Sequence, residues 1–436
     1  MLENPSHLRF WKALAFVIAF LFRLTFGFFA NMEHEDQRQI YLIGLKYYCT
    51  GLWPYFGADV LPHIQIPGAL QGLVVGLPLR IWPAAESPFV FVNLLSFAAL
   101  CLFGWYCSKR LPTFPKWILW GWLFTAPWVL NCSTNVYNVS YVLFGSIVFF
   151  IAFVETVPAL AINAIPAWLA NLMMGFAFFW NAQFHMSYIT LAPFLVVSAI
   201  FQMKQTSPAD WFRRLALFLL GAATTGAFMV PTFLRYGMDG LGGTGGLIRF
   251  NPTNIGSFFV ILAQLFSLAS AEIPRFVGRN TAQRMAFLRS QIWLAPFFIT
   301  ALLLGLLQPI VMLVSGLRRV HPQKDWGAIK VLAFSTFLLV YLSFVFAVKN
   351  PASHTYYLML PVFMLFAFYV FSPWSSNRWF RIVAGIMLIC NLVFHLGLAF
   401  DNYKERSLFA DRDSILKAIE AKDYRLMGER RPEAWY

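Results

Sequence analysis

Apolar runs of roughly 20 residues recur along this chain, each bounded by charged or helix-breaking positions, and 20 is about the number a helix needs to cross a bilayer. The first runs from Phe10 to Ala30, with Arg9 and Lys12 at one end and a charged knot at the other. Further runs fall at about Pro88 to Cys107, Trp117 to Leu130, and a fourth ending near Glu155. A fifth and sixth flank Asn181-Ala182-Gln183-Phe184-His185, the sixth ending at Lys204, and a seventh leads from Arg213 and Arg214 to Pro231. The last four end at Arg318, at Lys349, at Arg378 and at Phe400. None alternates as a barrel strand does, and backbone in hydrocarbon must satisfy its own hydrogen bonds, so the runs predict helices. The expectation is an all-α polytopic membrane protein with about eleven transmembrane helices. The first run is too long for a signal-peptide core and lacks a small-residue cleavage site, so it counts as a span.

Flanking charges orient the spans. Lys and Arg gather at Arg9 and Lys12, Lys109 to Lys116, Lys204 to Arg214, Arg318 to Lys324, and Arg378 to Arg381, which the positive-inside rule assigns to the cytoplasm. One transmembrane domain, 1–400, then carries a first external loop over 31–87 and a long external loop over 235–290. A short external tail follows at 401–436. Within the first loop Glu35, Arg38, Gln39 and Lys46 share one helical face while Ile40, Ile43 and Tyr47 turn away, the pattern of a helix lying in the interface.

Composition agrees with this class. The 436 residues are 59% hydrophobic and 12% charged, beyond the soluble globular range. A net charge of +14 is explained by Lys and Arg flanking the spans, so membrane lipid is the partner it calls for and nucleic acid is not needed. Cys101, Cys107 and Cys390 sit in apolar runs. Cys49 and Cys132 fall on the external side, but nothing in the sequence brings them together as a disulfide.

The candidate chemistry lies in Glu33-His34-Glu35-Asp36-Gln37-Arg38. Carboxylates at a bilayer surface can take a proton from a hydroxyl, hold a cation, or only cap a helix. No cofactor is called for with certainty; a divalent cation is an option at Glu33, His34, Glu35 and Asp36, though so local a ligand set makes a weak metal site. The long external loop carries Arg249, Arg275, Arg279, Arg284 and Arg289, against the usual bias. Long loops escape that bias, and binding an anionic headgroup is the sharper reading. Gly237 to Gly246 follows no strand and lacks Gly-Lys-Ser/Thr, so it is no nucleotide loop. Asp411-Arg412-Asp413 reads as a solvated helix face.

The order of motifs resembles the GT-C membrane glycosyltransferases, in the aminoarabinose-transferase and protein O-mannosyltransferase (family 39) branch. An acidic pair with Arg two residues on (Glu35-Asp36-Gln37-Arg38) follows the first span. Gly51-Leu52-Trp53-Pro54, Gln65-Ile66-Pro67-Gly68 and Leu77-Pro78-Leu79 come next. Lys349-Asn350-Pro351-Ala352-Ser353-His354-Thr355-Tyr356-Tyr357, before Leu360-Pro361, looks like that family's late external loop. The acidic pair is inverted relative to the family's Asp-Glu, and His63 and Gln65 stand where a basic residue is often found. Asn135 and Asn138 replace an Asp that some relatives carry.

The resemblance implies transfer of a sugar from a polyprenyl-phosphate donor to a lipid, polysaccharide or protein acceptor. It places the reaction at the periplasmic or external face of a bacterial inner membrane. Glu35 takes the position of the base, with Asp36 sharing or orienting. His34, Arg38, His63, Gln65, Arg275, Arg279, Lys349, His354 and Tyr356 are the substrate-binding candidates, chiefly for the phosphate. Two other classes stay open. An O-antigen-type polymerase or ligase makes the loop arginines matter more than Glu35 and Asp36. A transporter or flippase usually places its ionisable residues mid-span, whereas the strong charges here gather at one surface.

Overall fold

A computed structural model describes residues 5–30, 35–61, 64–237, 248–267, 272–278, 280–318, 321–405 and 412–427. The chain opens with α1 (Pro5–Phe29) and α2 (Glu35–Thr50), then the hairpin β1 (Phe56–Leu61) and β2 (Ile64–Pro67), then α3 (Leu70–Ile81) and α4 (Ser87–Arg110). Next come α5 (Lys116–Thr125), α6 (Pro127–Ser133), α7 (Asn138–Thr156), α8 (Ala167–Ala182), α9 (Ala192–Gln205), α10 (Pro208–Gly226) and α11 (Val230–Tyr236). The remainder holds α12 (Phe258–Ser267), α13 (Ile273–Phe276), α14 (Thr281–Ser290), α15 (Ala295–Gly316), α16 (Trp326–Val345), α17 (Leu360–Phe371), α18 (Arg378–Glu405) and α19 (Arg412–Ala421). The chain is a helical, multi-span protein with, among the described residues, one small antiparallel hairpin, which the apolar pattern does not reveal.

Among the described residues nine helical segments are long and apolar enough to cross a membrane. They match nine of the eleven expected runs, and local chemistry explains the other two. The third run is split at Ala126 (φ −58°, ψ 125°) because Pro127 has no N–H to donate and pushes its predecessor out of helical geometry. The fifth is α8, whose 16 residues span about 24 Å at 1.5 Å per residue, short of a ~30 Å hydrocarbon core. The stretch 235–290, expected as a long external loop, is not a loop throughout. It contains an apolar helical stretch, Pro252–Ser267, that buries Ile261, Leu265 and Phe266.

The core centres on α7 and α17, both buried along nearly their whole length. At one end of the bundle Arg110, Glu155, Asp325 and Tyr369 from four segments form a polar knot. Arg110 Nη2 lies 2.5 Å from Asp325 Oδ2, and Tyr106 Oη donates to Glu155 Oε1 at 2.7 Å. At the other end α2, the hairpin and α3 form a platform. Gln71 builds much of it: its Oε1 accepts from Ala58 N–H at 2.9 Å, and its Nε2 donates to Gln183 O at 2.9 Å.

All five cysteines are free. Cys49 Sγ approaches Ala418 O at 3.8 Å, whereas Cys132 is buried inside α6.

Candidate active site

Asp36 stands in the first turn of α2, where its side chain is half-buried. The next residue fixes that turn: buried Gln37 accepts at Oε1 from Asn135 Nδ2 at 2.8 Å. Asn135 belongs to the short link between α6 and α7, and its Oδ1 accepts from Val136 N–H at 2.8 Å. The amide at a position where some relatives of the resembling family carry an acid therefore ties α2 to the core. Tyr137, two residues on, receives the field of Asp36. Burial first, then the Asp36 charge, pushes the Tyr137 phenol well up, so it stays protonated and able to donate.

Two further segments converge here. α13 brings Arg275, whose Nη1 donates to Ser353 Oγ at 2.5 Å and lies 3.4 Å from Glu272 Oε1. Glu272 is wholly buried and is itself held by Gln264 Nε2 at 2.9 Å and by the Asn131 amide. A buried carboxylate with three donors is a rigid anchor, and it aims the arginine. Both Glu272 and Arg275 act electrostatically on Tyr137.

His354 follows Ser353. Its ring lies 6.3 Å from the Tyr137 ring and 6.4 Å from that of His185. His185 accepts at Nδ1 from Ser187 N–H at 3.1 Å, which leaves the neutral ring's proton on Nε2. Burial holds the His185 imidazole down to about 3, with the charges of His354 and Lys349 adding to the effect.

Of the residues singled out in the sequence, Asp36 and Arg275 act electrostatically on Tyr137, and the His354 ring lies beside it. Tyr356 lies close by but is buried, edge-on to Trp128 at 6.0 Å. Lys349 donates to the carbonyl of Val60 in the hairpin, and Gln65 Nε2 donates to Asp59 Oδ1 at 3.0 Å. Arg38 points elsewhere: two positions along a helix do not share a face, and its Nη2 donates to Met427 O at 2.6 Å. Glu35 begins α2, but its side chain, together with His34, His63 and Arg279, lies outside the described residues.

Glu272, Tyr137 and Asn131 escape the sequence reading, and Gln37 stands there only as a member of the charged knot. Glu272 leaves one local trace, its spacing three residues before Arg275. Among the described residues no three His, Cys, Asp or Glu side chains gather as a metal site.

No protein-family model matches the chain, and no curated protein is significantly similar to it. Among solved structures, it is similar to ArnT from Cupriavidus metallidurans bound to undecaprenyl phosphate, at 12% identity and a TM-score of 0.49. That likeness covers 96% of this chain and 75% of that one. It is also similar to the archaeal oligosaccharyltransferase AglB from Archaeoglobus fulgidus, in complex with an inhibitory peptide and a dolichol-phosphate. There the identity is 13% and the TM-score 0.42, over 92% of this chain and 56% of that one. With both scores below 0.5, the likeness assigns nothing to individual residues.

Proposed function

We propose that this protein is an integral-membrane glycosyltransferase. It moves a sugar from a polyprenyl-phosphate donor to an acceptor hydroxyl at the face where α2 lies. The observation that carries the reading is that Asp36 and Arg275, from distant segments, both act electrostatically on Tyr137, whose ring lies 6.3 Å from that of His354, next to the Ser353 that Arg275 bonds.

The reaction needs a base for the acceptor proton and positive or hydrogen-bonding groups for the leaving phosphate. In a single inverting displacement the acceptor oxygen attacks the anomeric carbon as the bond to the phosphate oxygen breaks. The hydroxyl proton passes to a carboxylate of the Glu35–Asp36 pair, and polyprenyl phosphate departs. Arg275 and His354 face the growing charge on the phosphate, and Tyr137 adds a donor. The acceptor is a lipid, a polysaccharide or a protein, and the membrane is a bacterial inner membrane with this face to the periplasm.

Transfer from a defined polyprenyl-phosphate-sugar, measured with protein in lipid nanodiscs, tests the assignment. Asp36→Asn is expected to lower the rate by about 10²- to 10⁴-fold, the usual worth of a positioned general base, with the melting temperature unchanged. Glu35→Gln made alongside distinguishes base from neighbour. Wild-type rates in both variants reject the base assignment. If Arg275→Ala alone abolishes activity, and only on lipid-pyrophosphate glycans, the polymerase or ligase reading replaces this one.

A further inference from the structure

A cavity of about 450 Å³, lined by none of the residues of the acidic cluster, opens between α5, α15 and α18, within the roughly 300–1,000 Å³ range of small-ligand sites. Trp122, Leu304, Val311, Phe380, Met387 and Leu388 make its walls almost wholly apolar. Leu307 and Val383, on either side of the α15–α18 gap, are exposed, so the cavity opens sideways toward hydrocarbon.

Gln308 breaks the apolar lining. Its side chain is 5% exposed, and neither Nε2 nor Oε1 has a hydrogen-bond partner within the protein. An orphaned buried amide is costly, and in a bilayer no bulk water relieves it.

The mouth of the cavity is cationic. Arg378 lies over the Trp379 ring at 4.8 Å and Arg318 over Trp374 at 5.5 Å, and both tryptophans line the cavity. Arg381 is fixed beside them by its Nε bond to Ser375 O at 2.7 Å. Among the described residues no carboxylate pairs with these three arginines. An apolar slot between spans, a rim of interfacial tryptophans and unpaired arginines together match an anionic lipid headgroup with its chain buried.

We propose that this cavity is a binding site for one anionic glycerophospholipid. An acyl chain fills the slot, the phosphate meets Arg318, Arg378 and Arg381, and Gln308 Nε2 donates to an ester carbonyl. The site is separate from the acidic cluster and does not depend on the glycosyltransferase reading.

Native mass spectrometry of the full-length protein, delipidated in detergent and titrated with phosphatidylglycerol or phosphatidylcholine, tests the proposal. One phosphatidylglycerol per chain is expected, held at least tenfold more tightly than phosphatidylcholine. The exposed double variant Arg378→Ala/Arg381→Ala should erase that preference, and Gln308→Leu should weaken retention of both lipids. Ala384→Trp, which fills the slot, should abolish binding. Melting temperatures in lipid-free detergent identify any variant that fails to fold, and the surface arginine pair keeps the test valid if a core variant does. Equal retention of the two lipids, retention unchanged in every variant, or a protein dimer closing this face would overturn the proposal.

Discussion

His185 is neutral because of where its ring is held, and the consequence can be measured. Its Nδ1 caps the turn at Ser187 while burial, with His354 and Lys349 nearby, disfavours a second proton. A histidine whose folded value is depressed stabilises the protein above its unfolded value near 6.5. That contribution is lost as pH falls through 6.5 toward about 3, because the unfolded chain takes up the proton first. His185→Asn keeps a capping oxygen near the Nδ1 position and removes the titration. Unfolding followed from pH 7 to pH 4 should show a shallower loss of stability in the variant, by up to ~1.4 kcal/mol per pH unit. Identical slopes in the two proteins would mean that His185 is already free to protonate when folded.

Asp36 and Glu272 contrast at the same scale. Asp36 stands beside its motif neighbours in a charged knot, so its type and place draw notice from sequence. Glu272 is a single acid in an arginine-bearing loop, and its importance comes from complete burial among Gln264, Asn131 and Arg275. Burial of that kind is tertiary and leaves no period or spacing to read.

Among the elements, the turns after α2 and after β2 show what the short motifs of the first loop do physically. Gly51 adopts φ +73° and closes α2 with an N–H bond to Tyr47 O at 2.9 Å. Trp53 then stacks on Phe228 with the planes 3° apart. Gly68, at φ +112°, donates to Tyr55 O at 2.9 Å, and a methyl on its Cα would collide with the Gln183 side chain. That glutamine is pinned by its Nε2 bond to Thr225 O at 2.8 Å, so it has little room to retreat. Gly68→Ala should cost about 1–3 kcal/mol from backbone strain alone, with the collision added, and should loosen the platform. A melting temperature equal to wild type would show that the turn tolerates a Cβ.

Apolar runs and flanking charges mark the nine span-length helices among the described residues, because hydrophobic length is a property of local sequence. The break at Ala126 is marked by Pro127, yet its use is not. Arg23 of α1, wholly buried, donates to Phe124 O at 3.4 Å and to Ser133 Oγ at 2.7 Å, meeting groups on both sides of the break. An arginine inside an otherwise apolar run looks like an exception until the interrupted helix beside it is seen. The hairpin is hidden for a similar reason: its register, Phe56 with Pro67 and Asp59 with Gln65, is irregular and lacks clean alternation.

Across the whole molecule, the two ends of the bundle are secured differently. One end is closed by the Arg110 knot, in which each charged group is met by partners from other helices. The other end carries α2 on a platform that the C-terminal segment overlies. Ile415, Ile419, Tyr424 and Met427 are buried there. Lys422 sits 3.6 Å from the Tyr48 ring centre, Arg412 Nε lies 2.6 Å from Glu86 Oε1, and Met427 O accepts from Arg38. The contacts at Arg38 and Tyr48 reach the first and last turns of α2, while Glu86 lies just before α4. Because α2 also carries Asp36, its order bears directly on the geometry of the candidate site. Ending the chain at Glu405 removes every one of these contacts while leaving the spans intact. Hydrogen exchange should then quicken across residues 35–50 by about tenfold or more, while α7 amides stay protected, since local opening follows local contacts rather than global stability. Transfer should fall with it, through disorder of α2 rather than loss of a reacting group. Exchange at 35–50 unchanged by the truncation would show that α3 and the hairpin alone hold α2, and that the tail only covers it.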